Sequence, residues 1–522
     1  MSALALNLWP QEGWAFVAAH QPWGYIGIGL LLGLLVALAV LLVWPLILRP
    51  LTRTLYQTNR ERRISALNER LSLPIARFKL AKRHRLIDEL VADPAVAEAI
   101  ASEAQATGQK VANVTARARR YAHEIVPAFS ATMYFKIGAR LARWTSRTLY
   151  RVRIANALAP IPPHASVVFV INHRSNIDYI LVTHLIAQSS ALSYAVGEWA
   201  RATGVAQLIR LMGAYFLRRD SGNVLYRRVL SSYVHRATAA GVTQAIFPEG
   251  GLSRTGALQP AKLGLLSYMV SDFDPAGTRD VVFVPVGLNY DRVLEDRVLT
   301  AAASAPPGKR PNFGFNPKVL AQFTGRNIRG RITGNWYRFS YACVSFGPPI
   351  SLRAHLAQRD LDFRHLDDAA RHLQIAALGD TLMAAVGQSV PVLPVAMVAF
   401  ALAEAGQLAP DRRLTSGMPT HELRSAVRGL IERLRRRGAT VYLPRDDVEY
   451  AIDVGLRTLV LRHLITETRG MIITETIRVK PGEESIIAFY ANSIVHLMSQ
   501  PPLPITTPIT TPITTAMHRP GA

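Results

Sequence analysis

The stretch Val167-Val168-Phe169-Val170-Ile171-Asn172-His173-Arg174-Ser175-Asn176-Ile177-Asp178 decides how the rest of the chain is read. Five apolar residues, every one β-branched or aromatic, predict a strand buried on both faces. The polar turn after them puts His173 where the strand ends and a helix begins. Asp178, five residues on, can bend back toward the imidazole. A neutral imidazole held by a carboxylate can take a proton from a hydroxyl near neutral pH. The spacing alone says little, because His355 and Asp360 share it with no strand before them. Context separates the two pairs.

Outward from this stretch, residues 156–350 alternate apolar runs with helical segments. Val167–Ile171, Gln244–Phe247, Val281–Val286 and Ala342–Phe346 read as buried strands. Tyr179–Gln188, Asn223–Ala240 and Leu263–Val270 read as helices. Such alternation predicts an α/β domain with a largely parallel sheet, whose chemistry gathers at the strand ends.

Before this domain the chain is basic and apolar by turns. The 522 residues carry a formal net charge of +24 and are 49% hydrophobic. That balance favours a membrane and phosphate-rich partners. Cys343 is the only cysteine, which excludes an intramolecular disulfide and a thiolate metal cluster. From Gly13 to Leu48 there is no Asp, Glu, Lys or Arg. The 24 residues Tyr25–Leu48 would span about 36 Å as a helix, enough for a hydrocarbon core of roughly 30 Å. Trp14, Trp23 and Trp44 flank the run as interfacial anchors, and Arg49, Arg53, Arg60, Arg62 and Arg63 follow it. The positive-inside rule then predicts one transmembrane helix in a cell membrane, with everything downstream cytoplasmic.

The expected organisation is an anchor over 1–54 (helix about 24–48), a basic helical region over 55–155, the α/β domain over 156–350, a mainly helical region over 351–499 and a disordered tail over 500–522. Within 55–155, Tyr134–Val152 reads as a basic amphipathic helix with arginines at 140, 143, 147 and 151, either a solvated face or one suited to the surface of an anionic leaflet. The uncharged run Thr381–Ala403 is broken by Gly387, Pro391 and Pro394, so it reads as helix packed on the core rather than a second span.

Three further motifs accompany the first. Gly213-Ala214-Tyr215-Phe216-Leu217-Arg218-Arg219-Asp220 ends in two guanidinium groups, whose planar forks suit phosphate. Neighbours on an extended strand face opposite ways, so one of the two is expected at a site. Phe247-Pro248-Glu249-Gly250-Gly251-Leu252-Ser253-Arg254-Thr255-Gly256 has glycines that let the backbone approach a ligand, with Arg254 and Lys262 as cations for an anion. Val284-Pro285-Val286-Gly287-Leu288-Asn289-Tyr290 ends a buried strand and shapes a pocket wall.

In order and spacing these four blocks resemble the glycerol-3-phosphate acyltransferase family. Val344–Ile350 and Phe489–His496 are similar to the longer, first-step enzymes of that family. The doubled glycine and the Ser-Arg-Thr-Gly ending of the third block look like the glycerol-phosphate or dihydroxyacetone-phosphate branch. Leu252 departs from the family pattern, in which an arginine is common. The resemblance implies a three-layer α/β acyltransferase domain with a mostly parallel sheet, flanked by helical regions and preceded by the transmembrane helix. It implies His173 as general base oriented by Asp178, acting on the sn-1 hydroxyl of glycerol 3-phosphate. The acyl donor is then acyl-CoA or acyl carrier protein, a co-substrate, with no cofactor and no metal. Arg218, Arg219, Glu249, Gly250, Gly251, Ser253, Arg254, Lys262 and Pro285 carry over as substrate-binding residues. The partners implied are the two substrates and anionic membrane lipids, not nucleic acid.

Dihydroxyacetone phosphate or a lysophospholipid as acceptor is the nearest alternative. A serine hydrolase would need Gly251-Leu252-Ser253-Arg254-Thr255 to act as a nucleophile elbow, yet Thr255 stands where a small residue must allow the turn. A non-enzymatic basic membrane protein fits the charge but leaves the four motifs unexplained.

Overall fold

The computed structural model describes residues 62–197, 205–218, 222–304, 340–408, 417–469 and 475–499. The chain divides into two compact units, Met1–Arg70 and Leu71–Ala522. All that follows concerns the second. The expected anchor at 24–48, the tail at 500–522 and Arg219 lie outside the described residues. Among the described residues no helix is long and apolar enough to cross a membrane.

The apolar run of the opening stretch forms β2 (Ser166–Ile171), buried at every position. It sits near the middle of an eight-stranded sheet. The other strands are β1 (Arg151–Ile154), β3 (Ser193–Val196), β4 (Tyr215–Phe216), β5 (Gln244–Ile246), β6 (Val281–Tyr290), β7 (Tyr341–Phe346) and β8 (Ile350–Ser351). The order is β1-β7-β6-β2-β5-β3-β4, with β8 also on β6. β2 is parallel to β5 and β6, and β3 is parallel to β5 and β4. Only β7 and β8 run antiparallel to β6. The fold is thus mixed α/β with a mostly parallel sheet. β1, which the sequence reading left in the helical region, joins the sheet beside β7.

Strand alternation separates two cores, one on each face. Val167, Phe169 and Ile171 pack with the helices Asp178–Ile186, Pro394–Leu408, Thr420–Arg436, Val448–Leu461 and Glu484–Ala491. Val168 and Val170 pack with Arg83–Val91, Pro94–Thr107, Val111–Ile125, Val224–Ala239, Gly264–Val270 and Asp368–Ser389. Burial on both sides explains why these strands are continuously apolar rather than alternating.

The run Thr381–Ala403 is two core helices, broken where Pro391 and Pro394 interrupt the backbone donors. Val395 through Ala399 are wholly buried. The region after 351 also contains a small antiparallel sheet, β9 (Met418–Pro419), β10 (Ile465–Arg469) and β11 (Glu475–Val479), absent from the sequence reading. The alternation in Thr476-Ile477-Arg478-Val479 is its signal, with Ile477 and Val479 buried and Arg478 exposed. Tyr134–Val152 is likewise not one helix: a π-type turn Met133–Gly138 runs into the helix Ala139–Leu149, and Arg151 is already in β1.

Gly287 on β6 lets the end of the helix Asp368–Ser389 come close. A Cβ there would lie 2.1 Å from the Ser389 carbonyl oxygen and 2.4 Å from the Val390 nitrogen. Both are backbone atoms and cannot swing aside. Gly287→Ala should therefore cost about 1–3 kcal/mol of stability, measured by denaturant unfolding; an unchanged midpoint would show that this contact is loose.

Candidate active site

His173 follows β2 directly, and Asp178 is the first residue of the helix Asp178–Ile186. The imidazole Nδ1–H donates to Asp178 Oδ2 over 2.9 Å. The same oxygen accepts the backbone N–H groups of Arg174 (2.7 Å) and Ser175 (3.0 Å). Oδ1 accepts the Tyr290 hydroxyl at 2.5 Å. Asp178 and Tyr290 are wholly buried. Burial, then the Asp178 charge, holds the Tyr290 hydroxyl well above its ordinary pKa, so it remains a donor. With the carboxylate acting as acceptor, the proton on the ring belongs at Nδ1 and the Nε2 lone pair is free to act as base. Among the described residues nothing hydrogen-bonds Nε2. The rings of Phe247 and Tyr179 flank the imidazole at centroid distances of 4.4 and 5.4 Å. The second pair with this spacing behaves differently: His355 Nδ1 meets Arg359 at 3.2 Å.

The third motif braces the histidine from behind. Glu249 Oε1 accepts the His173 backbone N–H at 2.9 Å, and Oε2 accepts that of Gln259 at 3.3 Å. Burial pushes the Glu249 carboxyl up to about 7 against these two bonds and the Arg174 charge. The Ser253 N–H donates to the His173 carbonyl at 3.1 Å, and its hydroxyl to the Ala257 carbonyl at 2.6 Å. A serine committed to a backbone carbonyl is not activated by a base, which removes the geometry that a serine hydrolase needs. Gly250 makes a turn at φ 68°, its N–H on the Phe247 carbonyl at 2.9 Å, and Gly251 has open space beside it. Glu249 and Ser253 hold the backbone here.

The predicted cations separate. Arg254 is half-buried and Lys262 exposed, its ammonium stem beside Gly250. Among the described residues neither has an ion-pair partner, so both can meet an anion. Arg218 is committed elsewhere: its guanidinium forks onto Glu124 (2.7–3.2 Å) and lies over the rings of Tyr121 and Tyr226. No local pattern around Arg218 points to Glu124 on the helix Val111–Ile125 as its partner. Pro285 sits inside β6 opposite Val170, one strand from the histidine, and its carbonyl accepts the Gly347 N–H.

Several working residues escaped the sequence reading. The Asn172 amide pairs with both backbone groups of Leu288 (2.7 and 2.9 Å), locking the ends of β2 and β6 together. Glu295 accepts the Ser175 hydroxyl at 2.7 Å and both the backbone N–H and side-chain amide of Asn176. Arg174 is buried, donates to the Gly256 carbonyl and lies 4.8 Å over the Phe489 ring. The only advance signal was their place in or just beyond the blocks.

Glu249 gives a pH test. Between its ordinary value of 4.5 and about 7 the folded protein keeps a proton that the unfolded chain releases. Stability therefore falls as pH rises through this window, by about 3 kcal/mol in all. Glu249→Gln should remove that slope, so that unfolding curves of the two proteins converge or cross from pH 5 to 8. Parallel curves would show that Glu249 ionises normally.

Residues 152–289 match the acyltransferase family model, and residues 337–505 match the glycerol-3-phosphate acyltransferase C-terminal region. A glycerol-3-phosphate acyltransferase of Pseudomonas putida is 28% identical over 81% of this chain and 50% of its own. One from Xylella fastidiosa is 32% identical over 53% of this chain and 31% of its own. The chain spans about half the length, or less, of the curated relatives it matches. The solved 1-acyl-sn-glycerophosphate acyltransferase of Thermotoga maritima aligns with 48% of this chain and 77% of its own, at 16% identity and a TM-score of 0.27.

Proposed function

Because this chain belongs to the glycerol-3-phosphate acyltransferase family, we propose that it moves a fatty acyl group from a thioester to the sn-1 hydroxyl of glycerol 3-phosphate. The observation that carries the mechanism is the Asp178 carboxylate. It is filled by donors and holds the imidazole by Nδ1, leaving Nε2 without a hydrogen-bond partner among the described residues. Nε2 takes the hydroxyl proton as the oxygen attacks the thioester carbonyl. The tetrahedral intermediate then collapses, the C–S bond breaks, and the imidazolium returns its proton to the thiolate of coenzyme A or acyl carrier protein. Asp178 stabilises the imidazolium between the two transfers. Such a base contributes about 10²–10⁴-fold, and holding both substrates together contributes much of the remainder.

Arg254 and Lys262, with Arg219, are the cations assigned to the acceptor phosphate. Backbone N–H groups near Gly250 and Gly251 are assigned to the oxyanion or to phosphate. The reaction needs no cofactor or metal, since proton transfer and oxyanion stabilisation suffice. The apolar run 24–48 is assigned as a single membrane span with the catalytic unit on the cytoplasmic side. The lipid product then forms beside the bilayer that receives it.

His173→Ala should lower kcat by at least about 10²-fold in a transfer assay with labelled acyl donor, while circular dichroism stays unchanged. Near-normal turnover would remove the histidine from the mechanism. The same assay run over glycerol 3-phosphate, dihydroxyacetone phosphate and a lysophospholipid identifies the acceptor. Arg254→Ala combined with Lys262→Ala should raise KM for the acceptor about tenfold or more and leave the donor KM within twofold, since each charged hydrogen bond is worth about 1.5–3 kcal/mol. Equal changes in both would take the phosphate away from this loop.

A further inference from the structure

The helix Ala139–Leu149, with the π-type turn Met133–Gly138 that leads into it, carries two exposed stripes side by side. Its inner face, Tyr134, Gly138, Ala142, Ser146 and Leu149, is buried. It packs against the helix Asp178–Ile186 and β1. On the outer face Ile137, Leu141 and Trp144 are 46%, 48% and 62% exposed, at spacings of four and three residues. Beside them Lys136, Arg140, Arg143 and Arg147 are also exposed. Among the described residues none of these four cations has an ion-pair partner. No Asp or Glu occurs anywhere from Ile125 to Ile177.

We propose that this face rests on the surface of a bilayer containing anionic phospholipid, with Ile137, Leu141 and Trp144 between the headgroups and the four cations on phosphates. A helix that leaves an aliphatic residue, another aliphatic residue and a tryptophan in a row toward water is paired with an apolar medium. Tryptophan suits the boundary in particular, since its ring is apolar and its N–H needs a polar partner. The arginine stripe supplies charge complementarity to anionic headgroups. Nucleic acid would use the cations but leaves the aliphatic side chains without a partner. A second copy would cover the apolar stripe but would bring eight cations together. The helix behind this face begins with Asp178, so the bilayer lies one helix layer from the imidazole–carboxylate pair. The inference goes beyond the acyl-transfer reading, and its test does not use turnover.

Cys343, the sole cysteine, is buried, so single-site labelling is direct. Full-length Leu141→Cys carrying a nitrobenzoxadiazole label is compared with the same label at Leu373→Cys, on an exposed site of the helix Asp368–Ser389. Each is mixed with vesicles of equal phosphatidylglycerol and phosphatidylcholine. Any membrane segment elsewhere in the chain is common to both proteins. The label at 141 should shift to the blue and lose its quenching by iodide, whereas the label at 373 should not change. Arg140→Glu, Arg143→Glu and Arg147→Glu together should abolish the response at 141. A label at 141 as open to iodide as that at 373 would overturn the proposal. So would an equal response on pure phosphatidylcholine, or a response to single-stranded RNA in place of vesicles.

Discussion

The corner on which the site depends is held by one buried carboxylate. Asp178 accepts four hydrogen bonds: from the His173 ring, from the backbone of Arg174 and Ser175, and from the Tyr290 hydroxyl. The first three close a turn within six residues, and the fourth ties that turn to a different strand. An unsatisfied carboxylate in such a place would cost several kcal/mol. The fold therefore cannot place Asp178 there without also fixing the imidazole. Orientation of the imidazole and stability of the turn are one requirement.

Around this corner the polar groups act mostly as holders. Glu249 fixes the His173 backbone from one side, and Glu295 fixes Ser175 and Asn176 from another. Their carboxyls are pushed up by burial, which is the electrostatic cost of using buried acids as braces. Asn172 sets the register of β2 against β6 just before His173. The imidazole is thus positioned through its main chain as well as through its ring.

The region after residue 351 is part of this scaffold. Gly256 ends the third block at φ 84°, and a Cβ there would stand 1.9 Å from the Phe489 carbonyl oxygen. Asn492 donates to the Thr255 carbonyl, and Arg174 lies over the Phe489 ring. Nearby, the Tyr490 hydroxyl joins Arg462 and Asp296 and accepts the Val293 N–H beyond the end of β6. The carboxy-terminal helices press on the glycine-rich loop and on the strand that carries Tyr290. This accounts physically for an acyltransferase domain and a C-terminal region that occur together in one compact unit.

The linear chain was enough to determine the buried strands, the helices between them and the pairing of His173 with Asp178. Those depend on side-chain period and on contacts within a few residues. It also marked the third block as a loop at the site, since glycines and a strand end are local features. Tertiary structure alone decided the rest. Tyr290 reaches Asp178 across 112 residues, and Glu295 reaches Ser175 across 120. Arg218 is paired with Glu124, 94 residues earlier, because the fold brings that carboxylate within reach of it. A charge's partner depends on which helix covers it, and no local pattern encodes that. The strand β1 and the hairpin β10–β11 were missed for a related reason: short strands take their identity from the neighbour they pair with.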